Sequence, residues 1–415
     1  MLLVQWIAYN FVDIDLWHQM ALIRESLAAG HLLRSDVYAY TPALPWIDHE
    51  WGAGAIAYLS TRWLGGWTII ALKYLCALGT LAACIRCSEM RGGNFRTIGL
   101  FAPLAIFLAS LGFLSTVRAQ DYTFLFTAIW LVLLEYDRLG SRWWMAAAVA
   151  IFALWVNLHG GFVVVLGLTA IYAFENALRR EPYRHLVVLL CVMGIEIFMN
   201  PYGASYFLYL KRALLMSRPY AAEWGGVTHL DSARVAAYVA AVFIATLAAC
   251  SKGWLQARGL PWLAATAVAG GTHRKLLPLF AITWLCYVPS YLQDSKVDRW
   301  WRGFTHRRRE FVIAAWAFSA CISVYAACRN RIWEVDVPQP IYPVGAVEYL
   351  AKVGFHGNLM TPFRVGAYVS WKLYPAVKVS LDSRYEVAYP DAVVRRVFDF
   401  YEAAPGWQSA LTEWP

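Results

Sequence analysis

Charged residues are scarce in this chain. Asp, Glu, Lys and Arg make up 15% of its 415 residues, whereas 60% are hydrophobic. A soluble protein of this size cannot hide so much apolar surface in one core, and soluble domains average about 25% charged residues. The composition therefore excludes an ordinary soluble enzyme and predicts a polytopic membrane protein. The net charge of +9 then mainly reflects membrane topology, so we expect no nucleic-acid partner.

Cysteine pairs of the kind that hold zinc are also lacking. The eight cysteines lie nearly all inside apolar runs or at their ends. Cys84 and Cys87 form one C-x-x-C, but no second pair accompanies them to complete a zinc site. We therefore interpret the cysteines as small packing residues. The N-terminus has neither a basic n-region nor an A-x-A site, so it predicts no cleavable signal peptide.

Long apolar runs are abundant instead. They cover residues 67–86, 97–115, 122–137, 143–158, 161–178, 185–200, 233–251, 259–271, 276–292 and 310–328. A further run, 1–12, is shorter, and we interpret it as the end of a first helix whose beginning is missing. Some runs fall below the roughly 20 residues of an upright span, which is common inside bundles. The pattern predicts an α-helical polytopic membrane bundle over residues 1–328, with about ten to eleven membrane helices.

Lys and Arg are concentrated in alternate loops. The basic set contains RCSEMRGGNFR, DRLGSR, LRREPYRH, SKGWLQARG and DSKVDRWWRGFTHRRRE. By the positive-inside rule these loops are cytoplasmic. Residues 13–66, which we interpret as the first outer loop, then lie on the outer side together with the C-terminal tail.

The tail, residues 329–415, has a mixed composition. The segments GNLMTPF and AVKVSLD have the pattern of strands, and the helical segment VGAYVSWKLY lies between them. This order predicts a β-α-β unit with a parallel sheet. We expect a small soluble α/β domain on the outer side. Because the pattern is unfinished at the last residues, we expect this domain to be truncated.

The first outer loop carries ionisable residues that a plain connector does not need. FVDIDLWHQM supplies Asp13, Asp15 and His18, and DHEW supplies His49 and Glu50. A carboxylate at the junction of loop and membrane can accept a proton from a hydroxyl group. Alternatively, Asp15 and Glu50 hold a divalent metal ion, to which His18 or His49 adds a nitrogen ligand. A solvated loop anchored by tryptophan is an equally simple interpretation for most of these residues.

Polar turns on the predicted outer side add further candidate site residues. STVRAQDY contains Arg118, WVNLHGGF contains His159, and GTHRK contains Arg274 and Lys275. Basic residues are disfavoured on the outer side, so Arg274 and Lys275 are candidates for binding an anionic group such as a phosphate. Each motif alone is also compatible with a turn capped by polar residues. Together the turns predict a shared cavity, in which the two first-loop carboxylates face at least one of these side chains.

These motifs resemble a known family. DIDLWH, followed by GHLLRSDVYAYT and WIDHEW, resembles the first outer loop of bacterial membrane proteins of the GT-C glycosyltransferase class. WVNLHGGF, NPYG, HRKLLPLFA, GAYVSWKLYP and VSLDSRYE are similar to later landmarks of the same group, in the expected order. The resemblance covers nearly the whole chain and implies a GT-C-like helix bundle.

The resemblance also implies an activity. Such proteins move a sugar from a polyprenyl-phosphate-linked donor to an acceptor glycan, lipid or protein at the periplasmic face of the bacterial inner (plasma) membrane. Asp15, or Asp13, corresponds to the catalytic carboxylate, and Glu50 to a second acid near the metal or the donor phosphate. The expected substrate-binding residues are His18, His49, Arg118, His159, Arg274 and Lys275. The chain departs from the pattern in its short first helix and in Ser383, where the tail motif has glycine.

Two other functions stay open. A transporter or flippase of a lipid-linked or small polar substrate usually has ionisable residues near the bilayer midplane. Glu196 is the clearest acid deep in a predicted span, whereas most charges lie at the outer lip, which favours surface chemistry. A non-catalytic envelope assembly protein would instead use its tail to bind a partner.

Overall fold

The computed structural model of the chain describes residues 2–216 and 222–414. This part is mostly helical. Its first ten α-helices are α1 (Leu2–Trp6), α2 (Ile14–Ala29), α3 (Trp51–Leu64), α4 (Thr68–Met90), α5 (Phe95–Ala109), α6 (Ala119–Arg138), α7 (Trp144–Leu158), α8 (Val163–Leu178), α9 (Arg184–Glu196) and α10 (Ala204–Leu215).

The second half of the described part adds ten α-helices and two short strands. The helices are α11 (Ser232–Lys252), α12 (Leu260–Thr272), α13 (Leu277–Tyr291), α14 (Lys296–Arg307), α15 (Arg309–Arg329), α16 (Val344–Lys352), α17 (Gly366–Leu373), α18 (Tyr385–Ala388), α19 (Asp391–Tyr401) and α20 (Ser409–Glu413). Strand β1 (Gly357–Leu359) follows α16, and strand β2 (Val377–Val379) follows α17.

Several helices have the length and apolar composition of membrane spans. Five qualify singly in the described part of the chain: Thr68–Met90, Phe95–Phe113, Gly160–Leu178, Ser232–Lys252 and Arg309–Arg329. Counting α13 and α14 as one broken span gives six. All ten predicted runs coincide with helices, yet fewer pass the test than the ten to eleven spans expected. For α7, α9 and α12 the reason is length, because they have only 15, 13 and 13 residues and rise about 1.5 Å per residue. Helix α6 has 20 residues but carries charged residues near both of its ends.

The loops gather at two ends of the bundle. Among the basic loops, Arg91 donates to the carbonyl of Arg258 at 2.7 Å, and the Arg258 side chain pairs with Glu181. Among the other loops, Gln120 donates to the carbonyl of Lys275 at 3.2 Å. Loops that the charge pattern assigns to one side thus contact each other, which is what an alternating bundle requires.

Residues 13–66 are largely helical rather than a simple loop. Asp13 caps α2 by accepting a hydrogen bond from the backbone N–H of Asp15 at 3.0 Å, and Gly30 ends the helix in the left-handed region at φ 74°. The 14-residue helix α3 follows. This order fixes both acidic motifs at helix starts, Asp13 and Asp15 at α2 and Glu50 at α3.

The tail pairs with this first segment. Strands β1 and β2 are parallel, as the β-α-β order predicts, and Ala39 adds a parallel bridge to Val379 on β2. Thr41 donates its hydroxyl to the carbonyl of Ser380 at 2.7 Å, 339 positions along the chain. Because these segments pair, we name residues 13–66 and 329–414 together the outer cap, after the side that the charge pattern predicts for them.

Arg384 holds the two parts of the outer cap together. Only 2% of this residue is exposed, and its Nη2 lies 2.6 Å from Asp36 Oδ1 and 2.5 Å from Asp382 Oδ2. Its guanidinium also lies over the Trp46 ring, 4.9 Å from the centroid. Asp36 and Trp46 belong to the first segment and Asp382 to the tail, so one cation joins segments that are distant in sequence.

We expect Arg384→Ala to weaken the outer cap. The substitution leaves two buried carboxylates without their cation, which destabilises a protein by about 3–5 kcal/mol. Thermal unfolding of the purified protein and protease cleavage of the tail measure the effect. Arg396→Ala is the matched control, since its ion pair with Glu413 is partly exposed and contributes only about 0–1 kcal/mol. Equal loss in both variants would contradict the role assigned to Arg384.

Candidate functional site

A cavity of about 1230 Å³ lies between the outer cap and the bundle. Its wall contains all but one of the predicted site residues: Asp15, His18, His49, Glu50, Arg118, His159, Arg274 and Lys275. Asp13 lies behind this wall. The structure thus brings Asp15 and Glu50 into one cavity with basic and imidazole side chains, as expected. The chemical roles of these groups stay predictions.

Asp13 and Asp15 have different environments although they are two residues apart. Asp13 is 7% exposed, and its carboxylate also accepts a hydrogen bond from the Ser115 hydroxyl at 2.9 Å. Asp15 lies in the first turn of α2, with Oδ2 3.3 Å from Arg118 Nη2. Asp13 is therefore a helix cap and anchor, whereas Asp15 is the carboxylate that a molecule in the cavity can reach.

Arg118 connects three carboxylates. Its Nε lies 3.3 Å from Asp13 Oδ2, and its Nη2 lies 3.3 Å from Asp15 Oδ2 and 3.6 Å from Glu223 Oε2. Lys275 pairs with the other oxygen of Glu223. Although burial opposes it, the charges of Lys275 and Arg118 lower the pKa of Glu223 to about 2. Glu223 therefore stays ionised between two cations.

Asp15 is the carboxyl of this cluster that takes up a proton. Burial raises its pKa to about 8, the Asp13 carboxylate adds to the rise, and Arg118 opposes it. Three carboxylates face two cations, so the fully ionised cluster has one excess negative charge. Protonation of Asp15 near neutral pH cancels that excess.

Glu50 has the opposite electrostatic environment. Gln19 Nε2 donates to Glu50 Oε2 at 2.5 Å, while Oε1 lies 3.3 Å from His49 Nε2 and 3.5 Å from His159 Nε2. Burial alone would raise the pKa of Glu50, but the adjacent imidazoles, His49 first, hold that pKa well below its usual range. The cavity therefore has one carboxyl that binds a proton readily and one that stays ionised.

His159 presents a defined ring nitrogen to Glu50. Its Nδ1 accepts a hydrogen bond from the Gly161 N–H at 3.0 Å and lies 2.7 Å from the Thr123 hydroxyl. Burial lowers the pKa of His159 to about 4, so the ring is neutral at pH 7 and its proton is on Nε2. A Cβ at Gly161 would collide with Thr123, which explains the glycine in this turn.

Ser383 occupies the position where the resembled family has glycine. Its hydroxyl lies 2.7 Å from His18 Nδ1, and both residues line the cavity. Burial lowers the pKa of His18 to about 4, so this imidazole is neutral as well. The serine therefore links α2 to the tail at the cavity wall.

Much of the remaining wall is apolar. Helix α8 contributes Val163, Val164, Leu168 and Ile171, and α12 contributes Ala265 and Ala269. The outer cap contributes Phe363, Phe398 and Tyr401, together with Arg364. A cavity with one charged region and a long apolar side fits an amphiphile that has an anionic group.

Beyond the nine predicted site residues, two others complete the site. Gln19 lies four residues after Asp15 on α2, and this one-turn spacing places both on one helix face. Glu223 lies in a polar turn on the predicted outer side, near Arg118 and Lys275. The sequence signals for these residues were the helical spacing of Gln19 from Asp15 and the predicted outer side of the turn that contains Glu223. Neither signal specifies which side chain forms an ion pair or hydrogen bond with which carboxylate.

The surroundings of Asp15 and Glu50 bear on the predicted divalent ion. The Arg118 guanidinium lies against Asp15, and an amide and two imidazoles surround Glu50. Within the described residues, no group of three or more His, Cys, Asp or Glu is arranged to hold a metal. The metal ion stays a prediction, and at Asp15 it would lie close to the positive charge of Arg118.

We expect the Asp15 carboxyl to titrate near pH 8. Because the pKa is raised, the protonated form persists at neutral pH and disappears as the pH rises through that value. Infrared difference spectroscopy of the purified protein should show a protonated carboxyl band that is lost between about pH 7 and 9. Burial also raises the pKa of the neighbouring Asp121 to about 8, so Asp15→Asn should remove part of this band and leave the part that Asp121 contributes. Asp391→Asn, an exposed acid on α19, is the control and should leave the band unchanged. A band of undiminished intensity in Asp15→Asn would assign the proton to Asp121 or to another group.

Comparison of the chain with known protein families and curated proteins identified no relative. No protein-family model matches the chain, and no curated protein matches it either. The similarity to the GT-C class therefore depends on the motifs quoted above, and a function has to be argued from the cavity.

Proposed function

We propose that the chain is a membrane glycosyltransferase of the GT-C type. In this proposal it moves a sugar from a polyprenyl-phosphate-linked donor to an acceptor glycan, lipid or protein at the outer face. The observation that carries the proposal is a single cavity in which Asp15 and Glu50 face Arg118, Lys275 and Arg274 beside an apolar wall. These are the groups that proton removal, phosphate binding and a lipid-linked donor require.

The proposed reaction assigns a proton to Asp15. The acceptor hydroxyl gives its proton to ionised Asp15 while its oxygen forms a bond to C1 of the sugar. The bond from C1 to the phosphate oxygen breaks, and its electron pair leaves with the polyprenyl phosphate. A pKa of about 8 suits this role, because a general base works best when its pKa lies near the operating pH.

Cations at the cavity wall would bind the phosphate. Arg118 and Lys275 hold Glu223 between them, and a phosphate could replace that carboxylate. Ionised Glu50 would stabilise the positive charge that develops on the sugar ring in such transfers. If a divalent ion takes part, it would neutralise the same phosphate. Assays with EDTA and with Mg²⁺ would distinguish neutralisation by the ion from neutralisation by the Arg118 and Lys275 side chains.

The proposal includes a topology. The ten predicted runs, together with the short helix α1, are taken as membrane helices in a bacterial inner membrane. The outer cap is then a soluble layer on the periplasmic side, and the basic loops are cytoplasmic. This arrangement is supported because the basic loops contact each other, and the other loops also contact each other.

A transporter or flippase is the alternative. Its main support in the sequence was Glu196, which is buried and is the last residue of α9 rather than a mid-helix residue. The ionisable side chains of the cavity come from helix starts and turns at one end of the bundle. Sugar transfer at the membrane surface explains the position of these side chains better than transport of a substrate through the bilayer midplane does.

We expect Asp15→Asn to abolish transfer while the protein still inserts. Removing a general base lowers rates by about 10²–10⁴-fold. Mass spectrometry of envelope glycans should show one product lost in Asp15→Asn cells and kept in the exposed control Asp391→Asn. Lipid-linked sugar should accumulate on the outer face of the membrane. Its oxidation by periodate added to intact cells reports this location. Accumulation on the inner face would favour a flippase, and unchanged glycans would move the catalytic role elsewhere.

We expect Lys275→Met to weaken phosphate binding about 10–100-fold, which is the usual effect of losing a charged hydrogen bond. The probe is undecaprenyl phosphate added to the purified protein, with undecaprenol as the uncharged reference and native mass spectrometry as the readout. Lys211→Met, an exposed position on α10, is the matched control. Glu223→Gln should bind the phosphate more tightly, since its carboxylate no longer competes. Equal binding of the phosphate and the alcohol would contradict the cation site.

A further inference from the structure

Helix α14 leaves the bundle at a sharp angle. Helix α13 is apolar and buried along its length, and α14 follows after a break with a bend of 89°. The sequence suggested only a basic cytoplasmic loop here, but residues Lys296–Arg307 form three turns of helix. A helix that turns through about a right angle after a span lies along the membrane surface rather than across it.

The orientation of α14 is fixed by bonds to the start of α5. Asp298 is fully buried and accepts hydrogen bonds from the Thr97 hydroxyl and from Asn94 Nδ2, the latter at 3.0 Å. Trp301 Nε1 donates to the carbonyl of Arg96 at 2.8 Å. These bonds pin one side of α14 to the bundle and determine which side faces outward.

The side that faces outward carries an apolar strip. Val297 is 43% exposed and Trp300 is 62% exposed, and Phe304 stacks on Trp300 with ring centroids 5.8 Å apart. The neighbouring Phe95 at the start of α5 is 63% exposed. Exposed aromatic side chains at the end of a membrane helix are typical of the interface between headgroups and acyl chains.

Basic residues surround this apolar strip. Lys296, Arg307, Arg308 and Arg309 are exposed, and none of them has an ion pair with another described residue. Arg302 differs, because it pairs with Asp294 and Asp298. Cations near a membrane surface are attracted to anionic lipids, each by a free energy that corresponds to about fivefold in affinity.

We propose that α14 is an interfacial helix that binds anionic phospholipid headgroups in the leaflet on the basic side of the bundle. Trp300, Val297 and Phe304 enter the headgroup region, and Lys296, Arg307 and Arg308 contact the lipid phosphates. This site is separate from the cavity and does not depend on the proposed transferase activity. Its occupant is the lipid leaflet itself, because the charge and the exposed aromatic strip match an anionic interface.

The test uses the purified full chain in detergent micelles with added phosphatidylglycerol or phosphatidylcholine. We expect phosphatidylglycerol to be retained in native mass spectrometry and to raise the thermal midpoint, with a much smaller effect of phosphatidylcholine. Salt at 0.5 M, at a Debye length of about 4 Å, should remove most of the difference. Inorganic phosphate should not replace the lipid. Equal effects of the two lipids, or full replacement by phosphate, would overturn the proposal.

A matched pair of variants locates the site. The triple variant Lys296→Gln, Arg307→Gln and Arg308→Gln should lower apparent affinity for phosphatidylglycerol by about 100-fold. The control removes three charges from other basic loops, Arg86→Gln, Arg184→Gln and Lys252→Gln, and should retain binding. All six residues are exposed, so both variants keep the fold. An equal loss in both variants would overturn the assignment to α14, and so would unchanged binding in the first.

Discussion

The geometry of the cavity depends on the ion pairs of Arg118. This residue lies at the start of α6 and reaches Asp13 and Asp15 at the start of α2 and Glu223 in a turn before α11. A guanidinium has several donors in a fixed plane, so it can hold separate carboxylates in a defined arrangement. The starts of two helices and a turn from a third part of the chain therefore meet at one point, and the cavity wall is built around them.

The two first-loop acids gain opposite properties from this arrangement. Asp15 is half-buried beside a second carboxylate, so its neutral form is favoured, whereas Glu50 is held ionised by imidazoles and an amide. Carboxyl groups with separated pKa values are how a site combines proton uptake with a permanent negative charge. This contrast is the physical basis for giving Asp15 the proton and Glu50 the stabilising charge in the proposed transfer.

The cavity also requires the outer cap. Arg384 joins Asp36 to Asp382, and Ser383 contacts His18, so the tail covers the end of α2 that presents Asp15. Covering the site lowers its dielectric constant and strengthens every charge interaction inside it. At the other end of the bundle, the basic loops join each other, and α14 extends the bundle along the surface.

The sequence by itself determined the helical membrane character, the positions of the ten apolar helices, the two loop sets and eight ionisable side chains of the cavity wall. These features follow from composition, run length and charge alternation, which are local properties.

The sequence did not distinguish Asp13 from Asp15, because a two-residue spacing does not say which carboxylate caps a helix. It gave no sign of the Arg118–Glu223–Lys275 chain or of the Arg384 pairs with Asp36 and Asp382, and it presented α14 as a loop. Only the tertiary structure decided these points, because ion pairs between distant segments depend on how helices pack, and the burial that shifts each pKa exists only after packing.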